Sequence, residues 1–270
     1  MDQYCVVGNP IEHSLSPFIQ NHFAKSTNQN LMYSKHLVEL DKFKETIQDL
    51  FSNGFLGCNV TVPFKEQAYA MCHKLTERAK LAQSVNTLKY EDGIIFGDNT
   101  DGAGLVKDLT VGKNIVLKDK TILVIGAGGA AKGIIGSLLM QGPKKVIITN
   151  RTISKAVSLA NHFQHLGNVC YAEIDCIAHG VDVVINATSS SLKGELPPLD
   201  TSLINESVVV YDLMYSAKPT VFVQFASELG AVAYDGLGML IEQAAESFNF
   251  WRRIEPSTDG LIETIRSSLN

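Results

Sequence analysis

Low-complexity tracts, internal repeats of solenoid period and clusters of basic residues are all missing from this 270-residue chain. Its 23 lysines and arginines are dispersed among 28 acids. That pattern leaves no electrostatic footprint for wrapping a phosphate backbone, so nucleic acid is not an expected partner. No segment is long and apolar enough to span a bilayer. The opening Met1-Asp2-Gln3-Tyr4 has neither the basic start nor the apolar stretch of a secretion signal, so no membrane partner and a cytoplasmic location are expected. Five cysteines, Cys5, Cys58, Cys72, Cys170 and Cys176, are odd in number and lack Cys-x-x-Cys spacing. A disulfide framework or zinc knuckle is therefore not implied, and free thiols are expected. No His, Cys or acid cluster has ligand spacing, and no metal is expected.

What remains is a chain with ordinary apolar content, long enough to bury a large core and placed at the boundary between one large domain and two smaller ones. From Gln3 to about Thr87, short β-branched runs (Tyr4 to Val7, Leu31 to Val38, Cys58 to Val62) alternate with amphipathic stretches (Pro17 to Lys25, Lys42 to Phe51, Lys65 to Cys72). This is the pattern of βα units with strands buried under helices. Gly54, after Asn53, can stop a helix. Glu91-Asp92-Gly93 reads as the turn of a hairpin joining Val85 to Tyr90 with Ile94 to Phe96.

A second unit opens near Lys118, where Thr121 to Ile125 is an apolar strand that runs into Gly126-Ala-Gly-Gly-Ala-Ala131 and a helix to Met140. Strand patterns follow at Val146 to Thr149, Val183 to Asn186, Val208 to Tyr211 and Ala231 to Tyr234, with helical patterns at Ser154 to His165 and Thr220 to Leu229. Such alternation predicts a mostly parallel, doubly wound sheet. Leu237 to Trp251 reads as an amphipathic helix that could pack on either unit.

Between a buried strand and a helix, Gly126-x-Gly128-x-x-Ala131 has the context of a dinucleotide turn. The first glycine permits the tight turn, the second admits a pyrophosphate to the backbone, and the small third residue lets helix and strand pack. The helix N-terminus adds N–H groups and the positive end of a dipole. The next strand ends Thr149-Asn150-Arg151-Thr152, with Lys155 close behind. A neutral Asn150 does not repel a 2′-phosphate and Arg151 can grip one through its planar fork, which favours NADP over NAD. The plainer alternative makes Asn150 a helix cap and Arg151 a solvated side chain.

Four polar clusters fall where predicted strands end or helices begin. In His13-Ser14-Leu15-Ser16-Pro17, Ser16 is the expected N-cap with Pro17 at the first helical position, and two serine hydroxyls there also suit a carboxylate. Asn59-Val-Thr61-Val-Pro63-Phe-Lys65 ends a strand and starts a helix, with Lys65 in a first turn whose dipole disfavours an ammonium. Asn86-Thr87 and the loop Gly97 to Gly102 are similar cases, and Asp101 alone could be a helix cap.

Taken together, Gly8 to Pro17, Asn59 to Lys65, Val85-Asn-Thr87, Gly97-Asp-Asn-Thr-Asp-Gly102 and Asn150-Arg-Thr152 resemble the shikimate dehydrogenase family in order and spacing. Asn186-Ala-Thr-Ser189, Asp212-Leu-Met-Tyr215 and Asp235 to Ala245 extend the resemblance over nearly the whole chain. It implies a two-domain α/β protein. An N-terminal α/β substrate domain over 1–101, completed by 237–270, would flank a Rossmann-like doubly wound NADP-binding domain over 102–236, with the catalytic cleft between them. It implies reversible, NADPH-dependent reduction of the C3 ketone of 3-dehydroshikimate to shikimate, within aromatic amino-acid biosynthesis. The same resemblance makes Lys65 and Asp101 the catalytic pair. Ser14 and Ser16, with Tyr215 nearby, would bind the substrate carboxylate, and Thr61, Asn86, Asp101 and Gln243 its ring hydroxyls. Gly126, Ala127, Gly128, Gly129, Ala130, Asn150, Arg151, Thr152, Lys155, Thr188, Met214 and Gly236 would hold the cofactor. One departure stands out: where the family commonly reads Asn-Ala-Thr-Ser followed soon by a glycine, this chain has Ser189-Ser190-Ser191-Leu192-Lys193 before Gly194.

Three rivals are open at this point. A quinate/shikimate branch that uses NAD more freely would carry an acid near position 150. A non-catalytic NADPH-responsive protein would have lost Lys65 or Asp101. Another two-domain Rossmann enzyme, such as a methylenetetrahydrofolate dehydrogenase, leaves the paired serines and the Gln243 helix unexplained. Monomer and homodimer are equally compatible with the sequence.

Overall fold

The computed structural model describes residues 1–177 and 179–269. The chain divides into two compact units, Met1–Gly104 with Ile241–Asp259, and Leu105–Leu240 with the chain from Gly260 on.

In the first unit, β1 (Asp2–Gly8), β2 (Leu31–Leu37), β3 (Phe55–Val60), β4 (Lys74–Leu75), β5 (Thr87–Glu91) and β6 (Ile94–Asp98) form one sheet. Their order is β2-β1-β3-β5-β6-β4. Helices α1 (Ser16–Ser26) and α2 (Phe43–Ser52) are the crossovers that leave β1 parallel to β2 and β3, as parallel neighbours require. After β3 the chain passes through α3 (Lys65–Met71), β4 and α4 (Glu77–Ala82). It returns as β5, antiparallel to β3, and turns directly into β6. The hairpin turn is Asp92-Gly93, both left-handed at φ 52° and 78°, the geometry that suits the twist of paired strands. Gly54 follows α2 at φ 90°.

Registers Val7↔Val60, Asn59↔Thr87 and Thr87↔Asp98 have a direct consequence for function. The carboxyl ends of β1, β3 and β6 and the start of β5 all meet one edge of the sheet. The segments carrying Ser14, Thr61, Lys65, Asn86 and Asp101 leave from that edge, where open α/β sheets bind ligands. Beneath it, Phe43 stacks on Phe64 with ring centroids 4.9 Å apart, and Phe51 on Tyr90 at 4.7 Å. Burying an aromatic or large aliphatic side chain of this kind contributes about 1.5–3 kcal/mol.

In the second unit, β7 (Thr121–Ile125), β8 (Lys145–Thr149), β9 (Val169–Tyr171), β10 (Val183–Asn186), β11 (Val209–Asp212) and β12 (Val232–Asp235) run parallel in the order β12-β11-β10-β7-β8-β9. Central β7 is fully buried from Ile122 to Ile125, as a strand covered on both faces must be. This is the doubly wound arrangement, and its order reverses between β7 and β10. The remaining helices are α5 (Asp101–Lys107), α6 (Gly129–Leu139), α7 (Ile153–Phe163), α8 (Val221–Glu228), α9 (Leu237–Arg252) and α10 (Leu261–Leu269). The chain crosses from one unit to the other inside α5 and again inside α9.

The extents of one unit and of one strand differ from the sequence reading. Only Ile241–Asp259 of the expected 237–270 segment groups with the first unit. Helix α10 joins the second because Leu261 and Ile265 are buried, while Arg266 pairs with Asp235 at the end of β12 and donates to the Ser216 carbonyl at 2.8 Å. Strand β3 also begins at Phe55 and ends at Val60 rather than running from Cys58 to Val62. Among the described residues no helix is long and apolar enough to cross a membrane.

Candidate active site

Lys65 is the first residue of α3, directly after the turn that closes β3, and Asp101 opens α5 three residues past β6. At the shared sheet edge their side chains meet: Lys65 Nζ lies 2.6 Å from Asp101 Oδ2, with both groups largely shielded from water. The second carboxylate oxygen accepts from Asn86 Nδ2 at 2.7 Å.

Asn86 cannot turn its amide around. Its Oδ1 accepts the backbone N–H of Thr100 at 2.9 Å and the Thr87 hydroxyl at 2.9 Å, so Nδ2 must face Asp101. The other Nδ2 hydrogen faces Thr100 Oγ1 at 2.9 Å and Gln243 Oε1 at 3.3 Å. Gln243 is placed by close packing of α9 on α5: a Cβ on Gly104 would fall 2.6 Å from the Gln243 backbone nitrogen, so only glycine fits there.

A second tier of buried polar groups holds this arrangement, and the sequence reading assigned none of them a role. Ser247, one turn beyond Gln243, lies 2.8 Å from Thr87 Oγ1 and donates to the Gln243 carbonyl at 3.0 Å. It also accepts from Asn59 Nδ2 at 2.9 Å, and Tyr33 donates to Asn59 Oδ1 at 2.7 Å. Tyr33 is fully buried, and burial pushes its phenol well above the usual range. Asn59, Thr87 and Thr100 lie inside the quoted motifs. Ser247 carried only the weaker signal of a serine on the buried face of a helix, four residues from Gln243. Asp98, buried, accepts from Arg78 Nε at 2.8 Å and from the Asn99 N–H at 2.8 Å, while Arg78 Nη1 reaches Glu246 of α9 at 2.8 Å. This pair fixes the turn that delivers Asp101.

Ser14 and Ser16 enter from β1. Ser14 Oγ accepts the Ser16 N–H at 3.3 Å. Ser16 is not the N-cap expected from the sequence: Leu15, already helical at φ −86° and ψ −5°, holds that position without a side-chain bond. Ser16 is therefore the first residue of α1, with Pro17 second. Thr61 sets its methyl over Gly8, where an added Cβ would lie 2.4 Å away.

The second unit carries the glycine-rich turn. Gly126 adopts φ 114°, and a Cβ there would press on the backbone of Ala187 at 3.2 Å. Gly128 is the N-cap of α6, with no side-chain bond and no acid in the helix's first turn. Added Cβ atoms on Gly128 and Gly129 would meet nothing within 4 Å. Open space over two glycines at the start of an 11-residue helix suits a pyrophosphate. Ala127 donates its N–H to Asn150 Oδ1 at 3.2 Å, and Asn150 Nδ2 donates to the Thr152 carbonyl at 2.9 Å. Asn150 thus ties the two loops together rather than capping α7, whose N-cap is Thr152. An acid at 150 would set its second oxygen against the Thr152 carbonyl. Arg151, Thr152 and Lys155 are exposed beside this turn.

Thr188 donates its N–H and hydroxyl to Asn186 Oδ1 at 3.0 and 2.7 Å. The Met214 carbonyl accepts the Gly236 N–H at 3.1 Å. Tyr215, partly buried in the second unit, has its phenol raised by burial and by the Asp235 charge.

Three family models match the chain: the shikimate dehydrogenase substrate binding domain over residues 6–88, shikimate / quinate 5-dehydrogenase over 110–194, and the shikimate 5′-dehydrogenase C-terminal domain over 236–266. A shikimate dehydrogenase (NADP(+)) of Psychromonas ingrahamii is 50% identical over 271 residues, covering 100% of this chain and 99% of that protein. Among solved structures, an Ael1 enzyme from Pseudomonas putida superposes with a TM-score of 0.91 at 38% identity, covering 100% of this chain and 98% of the other. A shikimate 5-dehydrogenase from Thermus thermophilus, in complex with NADP(H) and shikimate, gives a TM-score of 0.90 at 30% identity with full coverage of both chains. The chain belongs to the shikimate dehydrogenase family.

Proposed function

We propose that this protein is an NADP-dependent shikimate dehydrogenase that interconverts 3-dehydroshikimate and shikimate in aromatic amino-acid biosynthesis. The observation that carries the residue-level reading is the shielded Lys65–Asp101 pair, 2.6 Å apart and locked by an Asn86 whose amide has one available orientation. When bound, the cofactor supplies or removes the hydride at the substrate's C3 carbon.

Everything else falls to side chains. As the ketone oxygen gains negative charge, the Lys65 ammonium stabilises it and passes it a proton; in the oxidation direction the amine takes the proton from the C3 hydroxyl. Asp101 holds the ammonium with one oxygen while Asn86 holds the other, so the lysine is aimed before substrate arrives. Ser14 and Ser16 at the start of α1, together with Tyr215, receive the substrate carboxylate. Thr61, Asn86, Asp101 and Gln243 order the ring hydroxyls, and the buried tier through Ser247 keeps them from rearranging.

In the second unit, Gly126, Ala127, Gly128, Gly129 and Ala130 line the pyrophosphate, and Asn150, Arg151, Thr152 and Lys155 form a neutral-to-cationic corner for the 2′-phosphate. Thr188, Met214 and Gly236 belong to the nicotinamide side. A cytoplasmic enzyme, monomer or homodimer, acting on a small molecule completes the reading; its five cysteines are free thiols, which suits a reducing compartment.

The test is Lys65→Ala in steady-state turnover beside an NADPH titration. Loss of a general acid–base group predicts a fall in kcat of about 10²–10⁴-fold with NADPH affinity within about twofold of wild type. Near-normal kcat would remove Lys65 from the chemistry.

A further inference from the structure

The Asp212-Leu-Met-Tyr215 stretch has one charged residue with no role in the reaction described above. Asp212 ends β11, and its carboxylate is fully buried. A buried carboxylate is costly unless its oxygens are met by donors, and here four converge, from the end of β10, the short helical turn after it, the turn after β11 and the start of α8. Oδ1 accepts from Asn186 Nδ2 at 3.0 Å and from the Met214 N–H at 3.1 Å. Oδ2 accepts the Ser191 hydroxyl at 2.6 Å and the Thr220 hydroxyl at 2.7 Å. Asn186, gripped in this way, presents its oxygen to Thr188, whose own hydroxyl lies 2.9 Å from Ser190 Oγ. Thr220 also caps α8 by accepting the Val223 N–H at 3.3 Å.

One carboxylate therefore gathers three segments: the turn after β10 that carries Thr188 to Ser191, the turn after β11 that carries Met214 and Tyr215, and the start of α8. Burial pushes the Asp212 carboxyl above its usual range, against the pull of its four donors. Ser191 stands within the serine run in which this chain departs from its family's common pattern. It lies in a short helical turn, Ser190–Lys193, that ends on Gly194 at φ 72°.

We propose that Asp212 and Ser191 are positioning residues, a polar latch that fixes the Thr188 and Met214 turns for the nicotinamide side of the cofactor, and that the serine run is this chain's way of closing it. The proposal rests on the cofactor reading given above. The latch touches neither substrate nor cofactor itself; it removes the freedom of the loops that do, so its loss is felt as weaker cofactor binding.

NADPH titration followed by nicotinamide fluorescence tests it on the intact protein. Wild type is expected to bind saturably; absence of binding would overturn the cofactor reading and the latch together. With wild-type binding in hand, Ser191→Ala is expected to raise the NADPH dissociation constant about three- to tenfold, as loss of part of a charge-assisted hydrogen bond allows. The KM for shikimate should not move, and Ser191→Thr, which keeps the hydroxyl, should restore affinity to within about twofold. In an Asp212→Asn background, Ser191→Ala should add nothing further, because the two act as one unit. Wild-type affinity in Ser191→Ala, no rescue by threonine, or additive losses would each overturn the latch while leaving the cofactor reading intact. Should Asp212→Asn fail to fold, the alanine and threonine variants of Ser191 decide alone.

Discussion

At the scale of single residues, the outcome turns on which side chains have a choice of partner. Asn86 has none, since a backbone N–H holds its oxygen, and the Lys65–Asp101 pair inherits that rigidity. Ser247 is the keystone of the buried tier, where Asn59, Thr87 and the Gln243 carbonyl all lie within 3.0 Å of its hydroxyl. Ser247→Ala removes one of three acceptors around Asn59 Nδ2, the Asn86 carbonyl at 3.2 Å and Thr87 Oγ1 at 3.0 Å remaining, and is expected to cost about 0.5–1.5 kcal/mol of stability, read as a lowered denaturant midpoint with unchanged slope. At the other site, Asn150→Asp sets a negative oxygen against the Thr152 carbonyl and toward any 2′-phosphate. It is expected to lower kcat/KM for NADP at least tenfold while NAD improves in relative terms; an unchanged NADP preference would place selectivity elsewhere. Lys65, Asp101, Asn86 and Gln243 were singled out by the family resemblance rather than by local pattern: the first three lie at strand ends and helix starts, where a plain capping or structural role is equally open, and Gln243 lies within α9. Ser247 was not singled out: its partner Asn59 is 188 positions away, and no local pattern distinguishes a buried hub serine from a tolerated one.

At the scale of elements, periodicity and turn chemistry carried most of the information. Buried runs such as Thr121–Ile125 and the Asp92-Gly93 hairpin are written locally. The two-residue β4, short α4 and edge strand β9 were missed, being too short to develop a period. The start of α1 was misplaced by one residue because Leu15 has no capping chemistry to announce itself. Element ends are also where charge is used. Burial raises the Asp182 carboxyl, but the Thr121 N–H at 2.8 Å and the Lys120 ammonium at 3.0 Å outweigh it and hold the group below its usual range. A folded value below the unfolded one stabilises the protein above the ordinary carboxylate pKa of about 4. That contribution fades as pH falls from there through the folded value. Asp182 and Lys120 are both well exposed, so the term is screened and amounts to under about 1 kcal/mol. Asp182→Asn should lower thermal stability slightly at neutral pH and converge with wild type under acid; a gap that widens on acidification would contradict this linkage.

At the scale of the whole molecule, division into an α/β unit and a doubly wound parallel unit was legible because alternating strand and helix patterns restart after Lys118. The C-terminal assignment was only half legible. An amphipathic helix can bury its apolar face on either neighbour, and the pairing of Arg266 with Asp235 that ties α10 to the second unit is invisible until the fold is known. The proposed activity, NADP-dependent oxidation of shikimate, belongs to the molecule entire. It is tested most directly by following absorbance at the nicotinamide band with shikimate as substrate, comparing NADP with NAD, and with quinate as the competing substrate. Strong activity is expected with shikimate and NADP, and little with NAD or quinate. Comparable activity with NAD or quinate would move the chain to the rival branch, and silence with every pair would contradict catalysis outright.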